Sequence, residues 1–183
     1  MEPKVQKFIN RFPLLLPTIE KLEANNITWL IGGSGCLYLL GNDRLPEDVD
    51  IFISDDKHDL ADELFNVKSF MFTSDTQEAR NSNPEGDHSI QLTSHLKFNF
   101  DKEYNLGLTK EVIDHAISLE NLWLMPAEEV ILIKALLQRG VEEGKHDIED
   151  IKNFQEKYVL DTNYLEQRIE TLGAKDRVKY ILK

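Results

Sequence analysis

The chain has 183 residues, with 21 Lys and Arg against 33 Asp and Glu, a formal net charge of −12 and a pI of about 4.8. Hydrophobic residues make up 41% and aromatics 9%, enough to fill a core, which excludes disorder of the whole chain and fits one domain with at most a small extension. The acidity argues against a protein that tracks a polynucleotide, because such proteins need basic patches to displace counterions, and the longest apolar runs fall far short of the roughly 20 residues that span a bilayer.

In chain order, apolar residues between positions 4 and 25 keep a helical rhythm that Pro13 and Pro17 interrupt, which predicts two short helices or one broken one. Ile27-Thr28-Trp29-Leu30-Ile31, stopped by Gly32-Gly33, reads as a buried strand. Residues 34 to 40 read as a short helix ending at Gly41, with Ser34 available as its N-cap. Asp48-Val49-Asp50-Ile51-Phe52-Ile53 alternates as a second strand with Asp48, Asp50 and Phe52 on one face. A helix is predicted over 56–65, an exposed polar loop over 73–87, and strands over 89–92, 96–100 and 118–124. From Met125 the pattern is helical. Pro126, Glu128 and Glu129 suit a helix start, Arg139-Gly140 a helix end, and further helices are expected over 146–158 and after 163. The chain therefore divides into an α/β part, residues 1–120, and a helical part, residues 121–183.

The single Cys36 cannot form an internal disulfide, and Met1-Glu2-Pro3-Lys4 lacks the charged-then-apolar pattern of a secretory signal, so the reducing cytoplasm is the expected compartment. One cysteine and five scattered histidines give no zinc-ligand spacing. A dinucleotide-binding Gly-x-Gly-x-x-Gly is also missing, since the third glycine after Gly33 and Gly35 would fall on Tyr38.

Two carboxylates one residue apart on a strand share a face, and a divalent cation between them relieves their repulsion. Asp48 and Asp50 have this spacing. One element upstream, the Gly32-Gly33-Ser34 turn leads into a helix, where backbone N–H groups form a cradle for phosphate. Phosphate cradle and metal pair together are the apparatus of nucleotide chemistry. Further along, Lys134 shares a stripe with Val130 and Leu137, and Asp147 a stripe with Ile151, Phe154 and Tyr158, which puts both charges on inward faces. Either these two pair to pin the helices together, or they serve the site.

The segment from Trp29 to Gly35 and from Arg44 through Asp48-Val49-Asp50-Ile51, with thirteen residues between Ser34 and Asp48, resembles the nucleotidyltransferase fold superfamily. Pro126-Ala127-Glu128-Glu129, Lys134, Arg139 and Lys145-His146-Asp147-Ile148-Glu149-Asp150-Ile151 resemble the helical region of its bacterial minimal, antibiotic-type and abortive-infection-toxin members. The resemblance implies an α/β (α+β) fold, a small mixed sheet flanked by helices with a C-terminal helical segment. It also implies an enzyme that moves a nucleoside monophosphate from a nucleoside triphosphate to a hydroxyl. By that likeness Asp48 and Asp50 are catalytic and bind one or two Mg2+, Gly32, Gly33 and Ser34 hold the triphosphate, and Lys134 steadies phosphate charge. Arg44 is a further substrate contact or a solvated turn residue, and Asp147 a possible addition to the site. The acidic surface favours a small-molecule or protein acceptor over RNA.

The pattern fails at one point. Members of the superfamily carry a third acidic residue on a neighbouring strand, and the aligned position here is Gln91, which cannot take a proton and holds a cation only weakly. Glu85, Asp87 or Asp101 would replace it in another register, and His95 would serve as a base near neutral pH. The alternative reading is a degenerate, weakly active or inactive member acting as a nucleotide-binding regulatory or toxin–antitoxin module.

Overall fold

The computed structural model describes residues 2–84 and 89–182. Glu85, Asp87 and His88, of which Glu85 and Asp87 are alternatives for the third acid, lie outside the described residues.

Two helices open the chain, α1 (Pro3–Arg11) and α2 (Leu15–Ala24). Pro3 suits the first turn, where its missing N–H costs no bond, and Pro13 falls in the break between the helices. Phe8 and Phe12 meet edge to face with centroids 5.1 Å apart, and Phe8 also stacks on Tyr38, which ties α1 to α3 (Gly33–Leu40).

The sheet is mixed. Its order is β3 (Phe70–Thr73), β4 (Gln77–Ser82), β5 (Ile90–Asn99), β2 (Val49–Ile53), β1 (Trp29–Ile31), β8 (Leu122–Leu124) and β7 (Ile117–Leu119), with β6 (Glu103–Leu106) added to the far half of β5. β1 runs antiparallel to β2 and parallel to β8, while β2 runs parallel to β5. The burial of Trp29, Leu30, Ile31, Val49, Ile51 and Ile53 explains why these central strands read as apolar runs. Helices α6 (Ala127–Leu137), α7 (Asp147–Gln155), α8 (Thr162–Leu172) and α9 (Lys175–Val178) follow, with α6 packed on α3, α7, α8 and α9. The composition boundary at residue 120 falls in the tight turn between β7 and β8, and β8 still belongs to the sheet through β1.

Several elements differ from the sequence reading. The polar stretch 73–87 contains β4, paired with both β3 and β5. Its polar residues are buried by hydrogen bonding: Thr93 donates to Asn81 at 3.1 Å, and His58 Nε2 lies 3.2 Å from the Ser82 hydroxyl. The two strands expected over 89–92 and 96–100 are the single strand β5, with a bulge where Ser94 and Lys97 pair with Arg80 and Glu78. That bulge holds His95 at φ +49°. Helix α4 (His58–Phe65) begins after a 3-10 turn (Asp55–Lys57), and α5 (Lys110–Asp114) lies between β6 and β7. Ser34 is not an N-cap: α3 starts at Gly33, capped by Gly32, and Ser34 lies inside the first turn. Helix α6 ends at Gln138 in the left-handed region rather than at Gly140. Glu128 and Glu129, in the first turn of α6 as expected, are buried, Glu128 accepting from the Asp161 amide and Glu129 from Tyr164 and Arg168.

Candidate nucleotide site

The edge where β1 hands over to α3 and where β2 begins are neighbours, because β1 and β2 pair directly. The Gly32 amide donates to the Asp50 carbonyl at 2.9 Å. A Cβ on Gly32 would sit 2.5 Å from the Phe52 ring, and one on Gly33 would collide with the Asp50 carboxylate. Gly33 also has φ +55°, so both space and backbone require glycine there. The first N–H groups of α3 have no acceptor within the helix by position, and Gly32 offers no side-chain cap, so Gly33, Ser34 and Gly35 present amides at the helix N-terminus beside Asp50.

Asp48 is exposed and Asp50 half-buried, and both line one cleft. Loss of water around Asp50, and then the nearby charge of Asp48, push the Asp50 carboxyl up to about 6. Lys134, Lys145 and Arg139 act in the opposite direction. A carboxylate pair strained in this way is suited to a divalent cation. Among the described residues no group of three His, Cys, Asp or Glu side chains forms a protein-only cage. Mg2+ commonly binds through one or two carboxylates and completes its shell with phosphate oxygens and water, so Asp48 and Asp50 fit it.

Gln91 stands directly beside Asp50 in the parallel register of β2 and β5. His95 does not reach this cleft. Among the cleft-lining residues of β5, the pattern Gln91 and Thr93 becomes Leu96 and Phe98, and the bulge leaves His95 lining a separate 250 Å³ hollow, 3.8 Å from Asp55. Asp101 accepts from the Tyr104 hydroxyl at 2.8 Å and takes no part in the cleft.

Lys134 is buried and engaged, with its ammonium 3.0 Å from Asp147 and 2.9 Å from Asp150. Arg139 donates to Asp147 at 2.8 Å. Burial pushes the Asp147 carboxyl up, but the Arg139 hydrogen bond and the Lys134 charge outweigh it and hold the group below its usual value. Arg44 clamps Asp150 through two nitrogens at 2.5 and 3.2 Å, while Ser34 and Asn42 make long contacts of 3.4 Å to the same carboxylate. Asp150 thus fastens α7 to α3 and α6. The sequence names it only as part of the run from Lys145 to Ile151 and gives it no role, although its place three residues after Asp147, on the stripe of Ile151 and Phe154, marks it as inward-facing. Lys145, named in the same run, likewise has no role assigned from the sequence. It is exposed, lines the cleft and acts on Asp50 through its charge.

The resulting cleft measures about 490 Å³. The side of β2, α3 and α6 carries its charged residues, Arg44, Asp48, Asp50, Lys134, Arg139 and Lys145, and the side of β3, β4 and β5 is uncharged, with Phe70, Phe72 and Phe98 among polar Gln77, Asn81 and Thr93. A concavity of this size, charged on one side, fits a small-molecule site.

No family model matches the chain, and no curated protein matches it in sequence. Solved structures do match in fold. A provisional nucleotidyltransferase from Thermotoga maritima superposes with a TM-score of 0.58 at 12% identity, over 81% of this chain and 94% of the other. The antibiotic-resistance factor ANT(2'')-Ia superposes at 0.53 and 13% identity, over 97% and 94%. The chain has the nucleotidyltransferase fold. At these identities the likeness concerns the fold, and chemistry has to be argued from the residues of this chain. No helix among the described residues is long and apolar enough to cross a membrane.

Proposed function

We propose that the chain is a Mg2+-dependent nucleotidyltransferase, moving a nucleoside monophosphate from a nucleoside triphosphate to a hydroxyl acceptor. The observation that carries this reading is the contact between the Gly33 turn and Asp50, which sets backbone amides and a carboxylate pair against one point of the cleft. The α3 amides of Gly33, Ser34 and Gly35 bind the outgoing phosphates. Asp48 and Asp50 hold the cation, which when bound neutralises phosphate charge and polarises the reacting phosphoryl group. Lys145, exposed at the cleft and without a carboxylate ion pair among the described residues, is the cation to meet the departing pyrophosphate. Lys134 has already committed its charge to Asp147 and Asp150, so its main role is to hold α6 and α7 in register. In the transfer, the acceptor oxygen bonds to the α-phosphorus while the bond from that phosphorus to the bridging β-phosphate oxygen breaks. The acceptor proton passes to water. A cytoplasmic location and a small-molecule acceptor agree with the chain's acidity and lone buried cysteine.

The test is incubation with each of the four α-labelled ribonucleoside triphosphates and Mg2+, scoring labelled acceptor in a small-molecule extract. Transfer lost in Asp48→Asn supports the reading, and transfer that survives in Asp48→Asn contradicts it. The second reading, a nucleotide-binding module without catalysis, is favoured by one specific observation: Gln91 beside Asp50 supplies no third carboxylate. It predicts that the triphosphate raises the melting temperature while no label moves.

A further inference from the structure

The connection from α3 to β2 carries Asn42 and Arg44, and both reach across to Asp150 of α7. The Arg44 guanidinium meets that carboxylate fork to fork, Nε 3.2 Å from one oxygen and Nη2 2.5 Å from the other. The same Nη2 lies 3.4 Å from the Ser34 hydroxyl, which itself lies 3.4 Å from Asp150. One carboxylate thus ties together the turn at the start of α3, the connection leading to the Asp48–Asp50 pair and, through Lys134 at 2.9 Å, helix α6.

The two partners differ in exposure. The Asp150 side chain is 3% exposed, and Asp150 is not among the described residues that line the cleft. Arg44 is 38% exposed and lines it. The carboxylate therefore stands behind the guanidinium and does not itself take the place of a phosphate. A guanidinium carries five N–H donors on three nitrogens. Asp150 and Ser34 engage Nε and Nη2, and Nη1 has no acceptor among the described residues. An arginine free in solvent gives up rotamer freedom when it meets a phosphate, whereas one already clamped gives up little more.

We infer that Asp150 is a positioning residue, which clamps Arg44 so that its remaining nitrogen, Nη1, donates to a non-bridging oxygen of the outgoing phosphates. The inference rests on the nucleotidyl-transfer reading, which puts those phosphates on the amides of Gly33 and Ser34. Ser34 joins the two halves of the argument, because its hydroxyl neighbours Nη2 and its amide belongs to the first turn of α3. Lys145 and Arg44 then do different work. Lys145 brings unpaired charge, and Arg44, its charge balanced by Asp150, brings a directed hydrogen bond. Lysine cannot replace it, since an ammonium would settle on Asp150 as a point charge and leave no fixed donor for the phosphate.

The test is a double-mutant cycle, read by calorimetric titration of the full chain with a nonhydrolysable triphosphate and Mg2+. Arg44→Lys should weaken binding about tenfold, the scale of one charge-assisted hydrogen bond, and Asp150→Asn by about the same factor. The double variant should also lose only about tenfold, because Asp150 acts through Arg44. The Arg44→Lys loss should be the same at about 50 and about 300 mM salt, since the substitution keeps the charge. Losses that multiply to about 100-fold would make Asp150 a structural pin alone and overturn the inference. Tighter binding in Asp150→Asn would make the carboxylate a competitor of the phosphate, which overturns it too. So does binding within about twofold of the parent in Arg44→Lys. Should Asp150→Asn fail to fold, Arg44→Ala decides: it and Arg44→Lys should lose affinity alike, and a lysine that restores more than about threefold over alanine overturns the inference. All these outcomes leave Mg2+-dependent binding by the parent in place. A parent that does not bind the triphosphate at all would instead remove the nucleotide reading beneath the inference, and the inference with it.

Discussion

At the scale of single residues, Gly33 and Asp50 constrain each other. The glycine occupies a left-handed conformation against a carboxylate that burial and Asp48 together push up to about 6. Gly33→Ala should therefore cost about 1–2 kcal/mol in urea unfolding and weaken Mg2+-nucleotide binding at least about tenfold, because the new methyl displaces Asp50. Asp50→Asn should act in two directions at once. Neutralising a carboxylate whose ionised form is disfavoured in the fold raises the stability of the metal-free protein at pH 8 by about 1 kcal/mol, and the same change abolishes the Mg2+-dependent thermal shift. Both residues were legible in the sequence because glycine pairs and Asp-x-Asp are short-range patterns with fixed physical meanings. Asp150 was harder to see, since its four partners, Ser34, Asn42, Arg44 and Lys134, come from distant segments that only the fold brings together.

At the scale of elements, the same distinction separates the strands that were expected from those that were not. β1 and β2 are buried and branched, and their patterns announce them. β4, Gln77–Ser82, reads as a loop because it replaces apolar burial with hydrogen bonds and with Arg80 reaching Asp62 and Asp59. One end of that arrangement is His58, fully buried on α4, with Nδ1 2.7 Å from the Ser94 hydroxyl and Nε2 3.2 Å from that of Ser82. Burial lowers its pKa below 6.5, although Asp62 pulls the other way and Arg80 adds to the lowering. The unfolded chain therefore binds this proton more readily than the fold does. The His58 contribution to stability is complete above pH 6.5 and is lost as pH falls below it. Urea titrations at pH 7.5 and 5.5 should show this loss in the parent, and a smaller one in His58→Gln. Helix α7 is held by charges instead: Asp150→Ala leaves buried Lys134 short of a partner and should cost about 3–5 kcal/mol, whereas removing the exposed pair of Lys157 and Asp43 should leave the urea midpoint essentially unchanged.

At the scale of the whole molecule, a net charge of −12 surrounds a cleft whose cations, Arg44, Lys134, Arg139 and Lys145, gather at one end. Three of them are tied to Asp147 or Asp150, so the local field that meets a triphosphate depends on Lys145, the α3 amides and a divalent cation. A single-stranded oligonucleotide should accordingly bind more weakly than about 100 µM at 150 mM salt in a fluorescence-anisotropy titration, and its ends should receive no label. The fold was expected from a family resemblance and the Gly33, Asp48 and Asp50 part of the charged side from short motifs, whereas the apolar strand face was not, because Phe70 and Phe72 stand on an edge strand with no alternation to mark it. The central claim, that the Gly33 turn and the Asp48–Asp50 pair form one metal-dependent nucleotide site, is tested most directly by calorimetric titration with a nonhydrolysable triphosphate, with and without Mg2+. The account predicts binding that requires Mg2+ and weakens at least about tenfold in Asp50→Asn. Binding of equal strength without the cation, or binding that Asp50→Asn leaves unchanged, would contradict it.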